Sequence, residues 1–312
     1  MKGLAETEAT YFVDAGDALF KSAYLGPTQQ EKLKQVATAI ISAYNTMGCE
    51  VMNIGSKDLA AGYDFIMSLD QQAQFPFISA NAMQKGSSDL MFPAYQVIET
   101  HDQTLGFVGV TIGDRRLKEF EFSDPVEAAQ NTINEIREQV DLVFLMANVD
   151  DKTEKMLIEK VEGVDFILRS KSPSLQRNPK QIDGKTVIRI GKQGKYAGVL
   201  RIRNVDDVSQ MKNVSSQYSR IKFADNRLNA MRKGLEEGVS LEAHFADDEN
   251  RLKLISRLKK EKESNESLIR KLKNSYFLEP IALNEKIPDT PEVAEIVKAY
   301  MPEETTKVKK KS

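Results

Sequence analysis

Residues 43–66 read AYNTMGCEVMNIGSKDLAAGYDFI. The stretch begins as the end of an amphipathic helix, stops at Gly48, runs on as the apolar strand EVMNIG and turns at Gly55 into the loop GSKD before a second helical pattern opens. Helix, glycine stop, strand and glycine turn in that order make one crossover unit, and such units build a parallel sheet. The loop after the strand is where an α/β protein places its chemistry. Here it offers serine, lysine and aspartate, with no histidine.

Working outward, the same alternation extends from residue 10 to about 205. TYFVDAGD reads as a strand entering a tight turn. GPTQQEKLKQVATAIISAYNTMGC puts Leu33, Val36, Ala37, Ile40, Ile41, Tyr44 and Met47 on one helical face, with Thr28 and Glu31 spaced as a capping box. Downstream, a helix is expected through DLAAGYDFIMSLDQQAQ, then the strand FPFISAN. AYQVIET and TLGFVGVTIG, separated by HDQ, predict an antiparallel hairpin. DPVEAAQNTINEIREQV predicts a helix capped by Asp124 with Pro125 at its first position. DLVFLMAN, a helix from about 151 to 162, and VDFILRS continue the alternation, and KTVIRIGKQGKYAGVLRIRNV reads as two strands joined by a glycine turn. In a sheet of this kind the turns after Val13, Ile54, Ser79, Met146 and Leu168 line the ligand crevice.

Composition sets limits. The chain has 312 residues, 41% of them hydrophobic, enough for one large core or two modest ones. Lys+Arg 44 against Asp+Glu 46 leaves a formal charge of -2, so no overall field favours nucleic acid or an anionic membrane as partner. The single cysteine, Cys49, excludes an internal disulfide and thiolate-rich metal sites. The two histidines, His101 and His244, stand alone, so no centre of several imidazoles can be assembled within the chain. No apolar run approaches a membrane span, and MKGLAETEAT lacks the features of a secretion signal, which implies a cytoplasmic protein or a trimmed form.

The second expected region, residues 206–312, is highly charged. Leu228, Met231 and Leu235, then Leu252, Ile255 and Leu258, then Leu268 and Leu272 recur at helical spacing, with Gly238 as a break. Long amphipathic helices follow, arranged as a hairpin or coiled coil or packed on the α/β region. PEVAEIVKAYM predicts a short helix, and TTKVKKKS a basic solvated tail.

YFVDAGDALF, AYNTMGCEVMNIGSKDLAAGYDFI, FPFISAN, SDPVEAA, VDFIL and GKQGKYAGVLRIR together resemble, in order and spacing, the N-terminal domain of the 5′-nucleotidase family of calcineurin-like metallophosphoesterases, over residues 3–205. The resemblance implies a four-layer α/β/β/α sandwich with two divalent metals (Mn, Zn or Mg) at the strand ends. Two-metal hydrolysis needs carboxylate, asparagine and imidazole ligands holding the ions about 4 Å apart. Measured against the family's motifs, the opening Asp-x-His has no counterpart. The Gly-Asp motif is intact as Gly16-Asp17, with Asp14 nearby. The Gly-Asn-His-Glu/Asp motif becomes Gly55-Ser56-Lys57-Asp58. The histidine expected after the strand DLVFLMAN is replaced by Ala147-Asn148, and Gly-His-x-His by Arg169-Ser170-Lys171-Ser172. Ser79–Asn81, the SAN motif, is retained and in the family is architectural.

Asp14, Asp17, Ser56, Lys57, Asp58, Asn148 and Lys171 therefore mark the positions of a former metal site, with Asp17 the best remaining ligand. Lys57 either faces solvent, with Asp58 capping the next helix, or occupies the cation space beside Asp17. Preserved scaffold and erased ligands imply a catalytically silent binding or scaffold module, docking a protein partner or a second copy through helices at 215–275. Two alternatives stand beside it. One is a divergent phosphoesterase using a metal at Asp14, Asp17, Asp58 and Asn148, or completing its site upstream. The other is a metal-free anion or nucleotide binder using Lys57, Arg169 and Lys171. The family resemblance further implies a periplasmic or cell-surface home.

Overall fold

The computed structural model describes residues 9–203 and 211–300. The basic stretch 305–312 and the expected boundary at 206 lie outside the described residues. Among the described residues, two compact units form: 9–176, 181–197 and 282–300 make the first, and 177–180 with 198–203 and 211–281 the second.

The first unit is built on two sheets. The smaller is parallel, in the order β1 (Phe12–Asp14), β2 (Cys49–Asn53), β3 (Phe77–Ile78). The larger runs β10 (Gln181–Ile182), β11 (Lys185–Arg189), β9 (Phe166–Arg169), β8 (Leu142–Asn148), β6 (Thr104–Thr111), β5 (Tyr95–Glu99). Its centre is parallel, while β5 and β10 are antiparallel edges. The short strands β4 (Ala82–Gln84) and β7 (Phe120–Phe122) pair separately. Outside the small sheet lie α1 (Gln30–Met47) and α2 (Tyr63–Gln72); outside the large one lie α3 (Pro125–Ile136) and α4 (Asp151–Lys160).

Side-chain alternation along the strands explains the layers. On β8, Val143, Leu145 and Ala147 join Ile133, Ile136, Leu157 and Ile158 in one core beneath α3 and α4. Their neighbours Phe144 and Met146 face the other way. There Phe107, Phe144 and Phe166 stack in a ladder with centroids 4.9 and 5.1 Å apart. A second core joins Ala37 and Ile41 of α1, Ile66 and Leu69 of α2, and Met52 and Phe77 of the small sheet. The sheets meet at Gly109, where a Cβ would lie 2.4 Å from Asn53 Oδ1 and 3.0 Å from Ile78. The result is the α/β/β/α sandwich.

Local details depart from the sequence pattern in two places. Residue Thr28 makes no capping box with Glu31: a 3-10 turn, Pro27–Gln29, leads into α1, and the Gly26 carbonyl accepts the Gln29 amide at 3.1 Å instead. The second helix begins only at Tyr63, because residues 56–61 form turns and Gly62 takes a φ of 91°. The two strands joined by a glycine turn form as expected, β11 and β12 (Tyr196–Arg203); β11 pairs with β9, and left-handed residues at Gly191, Gln193 and Gly194 redirect the chain so that β12 lies beside β14 (Ser275–Ala282). Helix α3 is likewise capped as expected, Asp124 accepting the amides of Val126 and Glu127.

The second unit is not wholly helical. Its sheet has the order β12, β14 (Ser275–Ala282), β13 (Lys212–Asn213). Helices α5 (Ser215–Arg232) and α7 (Glu249–Lys271) pack as a hairpin through Ala224, Leu228, Ile255 and Leu258, closed by Leu241 of the short α6 (Leu241–His244). Lys262 of α7 bonds Asp225 of α5 at 2.6 Å. Leu268, expected on the apolar stripe, is 48% exposed. A last helix, α8 (Pro291–Tyr300), returns to the first unit and packs on α1.

Candidate functional site

The carboxyl ends of β1, β2, β3, β8 and β9 carry the loops that the sequence singled out. Gly16 (φ 99°) and Asp17 (φ 66°) turn the chain sharply after β1; Asp tolerates that left-handed conformation better than most residues. The turn presses on the loop after β2, where a Cβ on Gly55 would stand 2.5 Å from the Asp17 amide nitrogen and 2.8 Å from Asn148 Nδ2.

Each carboxylate has a definite set of partners. Asp14 accepts the Gly16 amide at 2.8 Å and the Tyr44 hydroxyl at 2.7 Å, and burial pushes both the Asp14 carboxyl and the Tyr44 hydroxyl up. Asp58 is fully buried and accepts three amides, from Asp17 (2.7 Å), Gly55 (2.8 Å) and Leu19 (2.8 Å). Burial, then repulsion from Asp17, pushes the Asp58 carboxyl up to about 8, against the pull of the Leu19 and Gly55 amides. Asp58 thus ties the two loops together and does not cap the next helix, whose N-cap is Gly62. Asp17 is not a local turn residue either: its Oδ1 accepts the amide of Lys57, 40 residues away, at 2.9 Å.

Lys57 completes this arrangement. Its ammonium stands 2.8 Å from Asp17 Oδ2, a buried oxygen with no directional hydrogen bond of its own. Asn148, buried at the end of β8, accepts the Ser56 amide at 3.2 Å and donates to Ser170 Oγ at 2.8 Å. Beneath it, Asn81 exchanges hydrogen bonds with the Thr111 backbone (2.9 and 2.8 Å) and donates to the Ser123 carbonyl, the architectural part expected of the SAN motif.

The three cations singled out in the sequence meet different fates. Arg169 is buried, held by Glu154 (2.7 Å) and Asp151 (2.6 Å), and Glu154 also bonds Arg189. Lys57 is engaged by Asp17. Lys171 stands among carboxylates: Asp114 is held well below the usual range chiefly by Arg116, and Asp150 below it chiefly by the Thr153 amide, with Lys171 adding to both. Two of the three cations that the anion-binding reading needs are therefore neutralised by carboxylates. His101 and His244 are exposed and lie outside it.

The donor set can be tested against a pair of divalent ions. Asp14, Asp58 and Asn148 direct their oxygens at N–H or O–H donors, and Asp17 at an amide and an ammonium. Among the described residues, no three His, Cys, Asp or Glu side chains are gathered as a metal ion needs them. The residues as placed do not fit two divalent ions.

Sequence reasoning did not find the roles of Tyr44, Thr111 and Glu154. Tyr44 reads as part of an apolar helix face, yet its hydroxyl reaches Asp14; Thr111 Oγ1 donates to the Ile54 carbonyl at 2.5 Å and fixes the turn before Gly55. The spacing of Asp151 and Glu154, one helical turn apart, was the available signal for a cation partner.

A calcineurin-like phosphoesterase from Bacillus subtilis, YfkN, superposes with a TM-score of 0.53 at 19% identity, covering 74% of this chain and 88% of that one. The SoxB sulfate thiohydrolase of Thermus thermophilus superposes with a TM-score of 0.56 at 19% identity, covering 64% and 38%. The fold is that of the calcineurin-like metallophosphoesterases.

Curated relatives of this metallophosphoesterase-like chain carry the same stamp. It is 22% identical over 212 residues to the uncharacterized metallophosphoesterase YunD of Bacillus subtilis, covering 66% of this chain and 44% of that protein. It is 27% identical over 112 residues to a 5′-nucleotidase of Vibrio vulnificus, covering 33% and 20%. The chain spans less than half the length of these relatives. No protein-family model matches it. Among the described residues, no helix is long and apolar enough to cross a membrane.

Proposed function

We propose that this chain is a catalytically silent metallophosphoesterase-like protein that works by binding, as a scaffold or adaptor. The observation that carries the proposal is the engagement of Asp17 by Lys57 at both carboxylate oxygens, at a position where hydrolases need an open metal ligand. Supporting it, Asn148 and Asp58 are committed to backbone amides of the facing loops. The reading of the chain as a metal-free nucleotide or anion binder is less well supported, because two of its three basic residues, Lys57 and Arg169, are paired with carboxylates.

The binding role is assigned to the charged helical segment after the α/β region, through the 215–275 helices, to a protein partner or a second copy. Phe223 (64% exposed) and Leu268 (48% exposed), apolar side chains on α5 and α7, support this assignment. We place the protein in the periplasm or at the cell surface by family resemblance.

The test is a screen of phosphomonoesters and phosphodiesters with manganese, zinc and magnesium. No turnover above buffer is expected. Turnover that Asp17→Ala abolishes would overturn the proposal. For the binding surface, Phe223→Glu with Leu268→Glu should abolish whatever self-association sedimentation detects, or capture of a purified partner, while leaving far-UV circular dichroism unchanged.

A further inference from the structure

The Asp17 side chain is 6% exposed, and a buried carboxylate is stable as an anion only beside a positive charge or several donors. Asp14 and Asp58 add to its need, since each feels Asp17 as a repelling charge. Among the described residues, the cation placed against this group is the Lys57 ammonium, whose side chain is 32% exposed and so keeps part of its hydration. An ammonium on a flexible stem is a compact point charge. It neutralises one carboxylate without needing the imidazoles and open lone pairs that a divalent ion requires.

Where the fold family implies two dications, this crevice holds one monovalent charge that belongs to the chain. We propose that Lys57 is a tethered counter-cation, which lets the crevice fold without a divalent ion and keeps such ions out by like-charge repulsion. The proposal rests on the silent-site reading and adds to it the means by which the acidic turn is held.

Thermal unfolding of the full chain tests it, comparing wild type, Lys57→Ala and the double variant Lys57→Ala/Asp17→Asn, each in EDTA and in increasing MnCl2 at matched ionic strength. The wild-type Tm is expected to be the same in EDTA and manganese within about 1 °C. Lys57→Ala should lose about 1.5–3 °C in EDTA, as expected for a destabilisation of one or two kcal/mol in a chain of this size, and regain at least half of that loss saturably with manganese. The double variant should lie near wild type and ignore manganese, because the uncompensated charge is gone.

A saturable rise of the wild-type Tm with manganese would overturn the proposal. So would a Lys57→Ala variant as stable as wild type, or one whose loss manganese does not repair. If Lys57→Ala does not fold, the double variant decides: folding supports the proposal and failure to fold overturns it. Phosphoester turnover by the wild type in EDTA would remove the silent-site reading and leave the counter-cation standing. Failure of the Lys57→Ala arm in an inactive protein would do the reverse.

Discussion

Gly55 lies so close to Asp17 that position 55 has no room for a side chain: a Cβ there would stand 2.5 Å from the Asp17 amide nitrogen and 2.6 Å from its Oδ1. Backbone blocks one side and Asn148 another, so a methyl group cannot be relieved by a rotamer change. Gly55→Ala is expected to cost about 2 kcal/mol or more, as overpacking does in a tight core. Gly26→Ala, where nothing lies within 4 Å, should change stability by under about 0.5 kcal/mol. Urea unfolding of both variants checks the contrast.

Asp58 accepts three N–H groups from two loops and donates to none. In Asp58→Asn, an NH2 would confront one of those donors, leaving a buried mismatch. Above pH 8, where the Asp58 carboxyl is ionised, a loss of about 1–3 kcal/mol follows from the buried donor left unsatisfied. Chemical denaturation measures it, and a loss under about 0.5 kcal/mol would contradict this role for Asp58.

Glu154 is buried between Arg169 and Arg189. Glu154→Gln leaves Arg189 facing a neutral partner and Arg169 with Asp151 as its remaining carboxylate, and breaking a buried pair from one side costs about 3–5 kcal/mol. The exposed pair Lys155–Glu159 on the same helix serves as control: Lys155→Ala should cost under about 0.5 kcal/mol. Equal effects would mean the buried cluster is not a structural one.

Burial pushes the Cys49 thiol up to about 12. The folded protein should therefore resist a disulfide reagent at pH 8 and react fully once unfolded in guanidinium. The thiol is protonated longer in the folded state than in the unfolded one, where it ionises near 8.5. Its contribution to stability is thus fully present below about pH 8.5 and is lost as pH rises towards 12. Rapid labelling of native protein at pH 8 would contradict the buried placement.

What was legible in the sequence follows from the range of the forces involved. Local periodicity marked α1, β2 and β8 because their apolar residues recur at 3.6 or in unbroken runs, and Asp124–Pro125 marked the start of α3 through a cap that acts within three residues. Strand β14 was hidden because Pro280 and a charged surround mask its apolar run Tyr276–Leu278. The site was legible as a set of loops, since strand ends in such sheets converge. Its bonding was not. Lys57 meets Asp17 across 40 residues, and Arg169, which reads as a loop cation, turns inward to a glutamate on the preceding helix. Only tertiary packing decides such pairings.

The most direct measurement of the central claim is the metal content of the purified protein after exposure to excess manganese or zinc and removal of free ion, read by inductively coupled plasma mass spectrometry beside native mass spectrometry. The account predicts far less than one ion retained per chain. Two ions held per chain, the complement of a two-metal hydrolase, would contradict it.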